Sequence, residues 1–192
     1  MKKILIILGH PDKESFGGGL ANSYKECALK TGAEVKELIL ADLKFDPILH
    51  RGYKEIQELE PDLVHAQELI TWANHLVFVY PLWWATMPAL LKGFLDRTFL
   101  PGFAFKYRKD SPFWDKYLTE KSARMIVTMD APTWYNYWVN GNAGPKAMKK
   151  ATLEFSGIKP VKVTTIGGVK EMKKEQIINW LTKAEKLGEG LN

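Results

Sequence analysis

The sequence predicts a single α/β domain over residues 1–192, with a doubly wound parallel sheet and helices on both faces. Five short runs of aliphatic and β-branched residues alternate along the chain with stretches of helical periodicity. The runs are almost continuously apolar, which is typical of strands that are buried on both faces. We therefore expect a five-stranded parallel sheet with the strand order 2-1-3-4-5.

The expected strands and helices follow one another in order. Strands are predicted at residues 4–8, 35–40, 76–80, 124–128 and 161–166. A helix is predicted where Leu20, Tyr24 and Cys27 share a face, and further helices at residues 61–73, 88–99, 145–156 and 173–187. Pro61 and Pro88 suit the first turn of a helix, because the N–H group that proline lacks has no partner there. Residues 41–60 and 101–121 are expected to be long irregular connections, which are often functional.

Composition argues against several classes of protein. The single cysteine, Cys27, cannot form an intramolecular disulfide, which predicts a reducing compartment such as the cytoplasm. The apolar run at residues 4–8 is too short for a signal peptide, and no stretch is long enough to span a bilayer. The net charge of +5 comes from scattered lysines, which predicts a solvated surface rather than a nucleic-acid site and favours anionic small ligands. The four histidines have no metal-ligand spacing, so no metal is expected.

The first informative loop, residues 9–17, runs from a predicted strand into a predicted helix. Backbone N–H groups and a hydroxyl at the start of a helix can hold a phosphate. The loop matches neither the Walker motif nor GxGxxG. The alternative is a glycine-rich turn in which Ser15 caps the helix, and the loop alone does not distinguish the two.

Two further loops are rich in aromatic residues. Trp83 and Trp84 lie between Pro81 and Pro88, directly after the third predicted strand. Exposed tryptophans on a rigid turn predict a flat apolar ligand, and the N–H groups of residues 82–85 are expected to be available to the edge of that ligand. The alternative is a hydrophobic patch for dimerisation, and the two interpretations are compatible. Residues 129–138 follow the fourth strand and are predicted to form the wall of a pocket or interface.

The segments LGHPDKESFGGGLA, VFVYPLWWATMPALLKGFLDRTFLPGFAFKY and TMDAPTWYNYW resemble the NAD(P)H:quinone oxidoreductase family, the DT-diaphorase-like branch of flavodoxin-like flavoproteins. The resemblance covers nearly the whole chain and is most specific around the third strand. It implies a flavodoxin-like fold, FMN or alternatively FAD as cofactor, and NADPH or NADH as co-substrate. The implied activity is two-electron transfer through the flavin to a quinone-like acceptor.

The resemblance also implies roles for individual residues. Those implied at the flavin phosphate are His10, Ser15, Phe16 and Gly17. Those implied at the edge of the isoalloxazine ring are Leu82, Trp83, Trp84 and Ala85 in one loop and Met129, Asp130, Ala131 and Pro132 in the other. Tyr137 matches the catalytic tyrosine. Phe105 and Tyr107 match aromatic residues that reach into the substrate pocket of a partner subunit, which implies a homodimer.

The chain departs from the mammalian members at two places. Ala131 and Pro132 stand where those members have a glycine pair, which removes one backbone donor, and Ala143 stands where they have a histidine beside the catalytic tyrosine. A Tyr–His relay is therefore not implied. Two other functions remain open: a flavin-binding regulatory subunit of a potassium-efflux type transporter, and a one-electron flavodoxin-like carrier. Such carriers are typically acidic, whereas this chain is basic.

Overall fold

The main sheet has five parallel strands, which confirms the predicted topology. A computed structural model describes residues 1–190 of the chain. Along the sheet, the strands lie in the order β2 (Glu34–Ile39), β1 (Lys3–Leu8), β3 (His75–Pro81), β6 (Ser122–Thr128) and β7 (Val161–Ile166). Two short strands, β4 (Phe105–Tyr107) and β5 (Trp114–Lys116), pair separately as an antiparallel hairpin. Residues 101–121, expected to be irregular, therefore contain a hairpin.

Helices lie between the strands at the predicted places. They are α1 (Phe16–Lys30), α2 (Pro61–Trp72), α3 (Ala89–Thr98), α4 (Thr133–Trp138), α5 (Ala143–Lys146) and α6 (Lys174–Glu189), with a π-helical segment, Ala147–Glu154, continuing α5. The interpretation of residues 129–138 as a loop was wrong in its second half, because α4 forms there. Pro132 precedes α4 with a φ of −56°, and this fixed dihedral angle is compatible with the start of a helix.

The core consists of two layers, one on each face of the sheet. Alternate residues of β1 point to opposite faces, so Ile6 packs with α1 and α6, while Ile7 packs with α2 and α3. This confirms burial on both faces for the central strands β1, β3 and β6. The same expectation was wrong for the edge strands, where Lys36 of β2 and Lys162 of β7 are exposed. An edge strand has one neighbour and the helices cover it incompletely.

The long connection at residues 41–60 is fixed to α3 by a buried arginine. Arg97 is fully buried, and its guanidinium donates to the backbone oxygens of Asp46 and Glu58 and to the carboxylate of Glu60. Because both terminal nitrogens bind the Glu60 carboxylate or a backbone oxygen, the charge is paired, and only Nε is buried without a partner among the described residues. Gly93 allows the close approach, since a Cβ there would lie 2.4 Å from Cβ of Pro47.

The described residues offer neither a membrane span nor a metal cluster. Among residues 1–190, no helix combines the length and the apolarity needed to cross a membrane. In the same part of the chain, no three His, Cys, Asp or Glu side chains come together in a way that could hold a metal ion.

Candidate functional site

The three loops singled out from the sequence meet at the carboxyl edge of the sheet. Parallel pairing of β1 with β3, and of β3 with β6, places the ends of these strands side by side. The N–H of Leu82 donates to the carbonyl of Thr128 at 2.7 Å, which joins the second loop to the third. The rings of His10 and Trp83 contact edge to face with centroids 5.6 Å apart, which joins the first loop to the second. Ligands of doubly wound sheets bind at this edge.

The first loop is closed by its own side chains and leaves donors at the start of α1. The hydroxyl of Ser15 accepts from the N–H of Gly18 at 3.3 Å, so this residue caps the helix. Within residues 1–190, no acceptor binds the N–H groups of Phe16 and Gly17. A Cβ on Gly18 would lie 1.9 Å from the carbonyl oxygen of Lys13, so the loop requires glycine there. Two free donors at the positive end of a helix suit a phosphate.

The second loop is a tight turn with two residues in the left-handed conformation. Trp83 and Thr86 exchange backbone hydrogen bonds of 2.9 and 3.0 Å, and the residues between them, Trp84 and Ala85, have φ angles of 52° and 58°. Positive φ at both central positions defines a type I′ turn, which normally takes asparagine or glycine. Left-handed backbone costs about 1–2 kcal/mol for each such residue. Strain held at one point of a rigid edge indicates a functional role.

The turn leaves fewer free donors than the sequence suggested. All four N–H groups of residues 82–85 were expected to be available. The N–H of Leu82 is taken by Thr128 and that of Trp83 by Thr86, because the turn is closed by main-chain pairing. Only the N–H groups of Trp84 and Ala85 lack an acceptor among the described residues. The Trp84 side chain is fully exposed at 100% of its reference area, and Trp83 is also exposed.

A fourth loop, residues 167–169, supports the third loop and was missed from the sequence. The carbonyl oxygens of Met129 and Ala131 accept N–H groups of Val169 and Gly168, and the Asp130 carboxylate accepts that of Lys170. A Cβ on Gly167 would lie 2.7 Å from the carbonyl of Ala131, so the two loops pack through glycine. The Gly-Gly pair after the last strand was the available signal.

Helix α4 presents its aromatic residues outward and is held from inside by asparagines. Trp134, Tyr137 and Trp138 are exposed. Asn136 is buried, and its side-chain amide donates to the Oδ1 atom of Asn142 at 2.9 Å. The backbone N–H of Asn142 in turn donates to the carbonyl of Asn136. The pair fixes the chain between α4 and α5 while Tyr137 remains accessible beside the three loops.

Helix α5 packs directly against the strained Trp84–Ala85 turn. A Cβ on Gly144 would lie 2.3 Å from the carbonyl oxygen of Ala85 and 3.0 Å from Cα of Thr86. Glycine at this position therefore permits backbone-to-backbone packing, and the turn is supported by main chain rather than by a flexible side chain.

A cavity of about 870 Å³ lies beside the same turn. Its walls are aromatic and come from distant parts of the chain: Tyr53, Trp83, Trp84, Phe99, Phe105, Tyr107 and Phe155. His10, Ser15, Phe16, Gly17 and Met129–Pro132 do not line it. The predicted site residues therefore fall into two places. One is the three-loop edge, meaning the carboxyl edge of the sheet where loops 9–17, 82–88 and 129–132 meet, and the other is this cavity. The Trp83–Trp84 turn belongs to both.

Phe105 and Tyr107 differ in what they offer to the cavity. Phe105 is buried in its own chain, with its ring centroid 5.0 Å from that of Phe155, so it presents little surface to another subunit. Tyr107 is exposed and can extend beyond the chain. Tyr53 was not anticipated; although its side chain is largely exposed, partial desolvation and the nearby Asp96 carboxylate raise the pKa of its hydroxyl.

Comparisons with known proteins agree with this architecture. A family model described as a flavodoxin-like fold matches residues 2–187. The NAD(P)H dehydrogenase [quinone] 1 of Cavia porcellus is 27% identical over 219 residues, covering 97% of this chain and 78% of the relative. A solved structure from Streptococcus mutans UA159 has a TM-score of 0.84 and 30% identity, covering 98% of this chain and 100% of the other.

One further solved structure shows the same fold. The FMN-dependent NADH-azoreductase of Bacillus anthracis, solved in complex with FMN, has a TM-score of 0.77 at 20% identity and covers 100% of this chain and 99% of the other. The family model spans nearly the whole chain, and the sheet order and site edge agree with it. This chain therefore belongs to the flavodoxin-like fold family that includes the NAD(P)H:quinone oxidoreductases.

Proposed function

We propose that this protein is a flavin-dependent NAD(P)H oxidoreductase that passes two electrons to quinones or similar flat acceptors. The observation that carries the proposal is the strained Trp84–Ala85 turn, which offers two free N–H groups and an exposed indole beside a helix start with two more free N–H groups. The N–H groups at the helix start suit the phosphate of a flavin mononucleotide, and the N–H groups of the turn, beside the exposed indole, suit the edge of its ring system. The named activity of the Cavia porcellus relative supports the acceptor class.

The described residues fit FMN at both ends. The N–H groups of Phe16 and Gly17, with the dipole of α1, would hold its phosphate. The N–H groups of Trp84 and Ala85 would face the ring edge, and Met129–Pro132 would border its other side. FMN, when bound, supplies the acceptance of hydride from NAD(P)H and the delivery of two electrons. The FMN named in the Bacillus anthracis structure supports FMN over FAD.

The chain's own residues would contribute orientation and charge stabilisation. Rigid main-chain donors at Trp84 and Ala85 would stabilise negative charge without reorganising, which is commonly a large catalytic contribution. Tyr137, exposed on α4, would donate a proton or a hydrogen bond at the ring edge. Because Ala143 cannot act as its partner, Tyr137 would serve alone or through water. The aromatic cavity walls select flat acceptors rather than one quinone.

We further infer a homodimer in which Tyr107 completes the cavity of the other subunit. Tyr107, Phe113 and Tyr117, on and beside the β4–β5 hairpin, are all exposed, and exposed aromatic groups of this kind are typical of interfaces. Light scattering during gel filtration tests the mass. A cytoplasmic location remains a prediction from the single cysteine.

The decisive experiment is an anaerobic visible spectrum of the FMN-reconstituted protein before and after NADPH or NADH, followed by a quinone. We expect complete loss of the oxidised-flavin band in one two-electron phase and its return with the quinone. Tyr137→Phe should bind FMN normally but turn over more slowly, whereas Tyr135→Phe on the same helix is the matched control. Reduction in two separate one-electron steps would instead favour the carrier.

Two other outcomes would contradict the proposal. Bound FMN that neither nicotinamide reduces would favour the regulatory subunit of a transporter, whose test is co-purification with a membrane partner. Absence of binding of both FMN and FAD would exclude all three functions, because each of them requires a flavin at the three-loop edge.

A further inference from the structure

A second, small cavity lies at the amino edge of the sheet, opposite the three loops. Its volume is about 200 Å³, too small for a nucleotide. His75 and Ser122 are the first residues of β3 and β6, and Arg124 and Lys162 are paired neighbours on β6 and β7. All four line the cavity together with Ala123, Pro160 and Gly190.

Arg124 is a buried cation that no acidic side chain within residues 1–190 pairs with. Only 8% of its reference area is exposed, and its Nε atom is buried without a hydrogen-bond partner. Among residues 1–190, its guanidinium forms no salt bridge, and its polar neighbour is the Tyr24 hydroxyl, which contacts it. Burial raises the pKa of that hydroxyl to about 12 against the opposing effect of Arg124, so this neighbour is neutral and supplies no anion. A guanidinium stays ionised in proteins, so it cannot relieve this cost by losing a proton. Buried charges of this kind are normally paired.

His75 provides a second unsatisfied polar group in the same cavity. It is 7% exposed, its Nδ1 atom lies 2.7 Å from the Ser122 hydroxyl, and its Nε2 atom is buried without a partner. Burial, reinforced by the positive charges of Lys2, Arg124 and Lys162, lowers the pKa of His75 to about 4. Every charged group that acts on this histidine within the described residues is thus a cation.

The surrounding charge is not neutralised by neighbouring acids. Lys2 and Lys162 form no salt bridge within the described part of the chain. Burial lowers the pKa of Lys2, and the charges of Lys162 and Arg124 lower it further. Arg124 and Lys162 line the cavity, and Lys2 is close enough for their charges to act on it, so an anion held among them would offset their mutual repulsion.

We propose that this cavity binds a small oxyanion, such as inorganic phosphate, through Arg124, Lys162 and His75. The planar guanidinium can pair with two oxygens of such an ion, and the ammonium group of Lys162 adds charge. The site is separate from the three-loop edge and does not depend on the proposed function. Its occupation would stabilise the folded chain, since the unfolded chain does not hold these residues together.

The test is thermal unfolding in phosphate against chloride at matched ionic strength, both with and without FMN; a phosphate response that Arg124→Met removes in both conditions belongs to this cavity. Saturation with FMN blocks phosphate from the start of α1, and matched ionic strength removes general screening. We expect the Tm to rise with phosphate and to gain about 3–6 °C at ten times the Kd. The response should disappear in Arg124→Met and weaken in Lys162→Gln, which keeps the test valid if the first variant folds poorly. Lys150→Gln removes the same charge from an exposed helical position and should respond like the parent.

A second readout is the pKa of His75 from NMR titration, which bound phosphate should raise and chloride should not. The proposal fails if phosphate and chloride give the same Tm, or if Arg124→Met keeps the full response.

Discussion

Replacement of the exposed Trp84 should stabilise the chain while weakening flavin binding. Trp84 has a φ of 52°, and its side chain is 100% exposed, so Trp84→Asn removes no packing. Asparagine tolerates the left-handed conformation, which should recover about 1 kcal/mol and raise the Tm by about 2–4 °C. Loss of the indole face should reduce FMN affinity by about 2- to 12-fold, from an aromatic contact of about 0.5–1.5 kcal/mol.

The assays are thermal unfolding of the flavin-free protein and fluorescence titration with FMN. Ile56→Asn is the matched control, because Ile56 is 98% exposed and has no positive φ; it should change neither quantity. A fall in Tm for Trp84→Asn would show that the indole packs in the folded chain. A raised Tm with unchanged FMN affinity would show that the turn does not contact the flavin.

Three further changes test the supporting structure. Gly144→Ala should push a methyl group against the Ala85 carbonyl, cost about 1–3 kcal/mol in unfolding free energy and weaken FMN binding, whereas Gly190→Ala meets only an ordinary contact of 3.5 Å and should do neither. Ser15→Ala should cost about 1 kcal/mol in urea unfolding through loss of the helix cap, with Ser15→Asn restoring it; equal stability of all three proteins would contradict the capping role. The third test is the pH dependence of stability in phosphate-free buffer. As the pH falls, His75 should take up a proton in the unfolded chain at a higher pH than in the folded chain, because folding lowers its pKa from 6.5 to about 4. Stability present above pH 6.5 should therefore fall by about 3 kcal/mol towards pH 4, and this loss should be smaller in His75→Gln.

Local patterns in the sequence determined the sheet and most helices. Continuous apolar runs can be buried only in strands that helices cover, and the proline positions marked the starts of α2 and α3. Strand order then followed, because alternating strands and helices allow few parallel topologies. That order places the carboxyl ends of β1 and β3 side by side, and the contact between His10 and Trp83, which follow these strands, agrees with it.

The short elements depended on contacts that no local pattern contains. Hairpin β4–β5 has strands of three residues each, and α4 has six residues, so neither gives a measurable periodicity. Both elements are stabilised by tertiary packing. In the hairpin, for example, the ring of Trp114 in β5 stacks on that of Phe155, with the two ring centroids 4.3 Å apart.

The sequence by itself determined the fold, the edge of the sheet that carries the site and the residue types gathered there. Only the tertiary structure decided which groups remain free. Leu82 and Trp83 lose their N–H groups to main-chain partners, whereas Trp84 and Ala85 keep theirs. The lack of an acidic partner for Arg124 within residues 1–190 was likewise invisible, because an ion pair depends on distances between residues far apart in the chain.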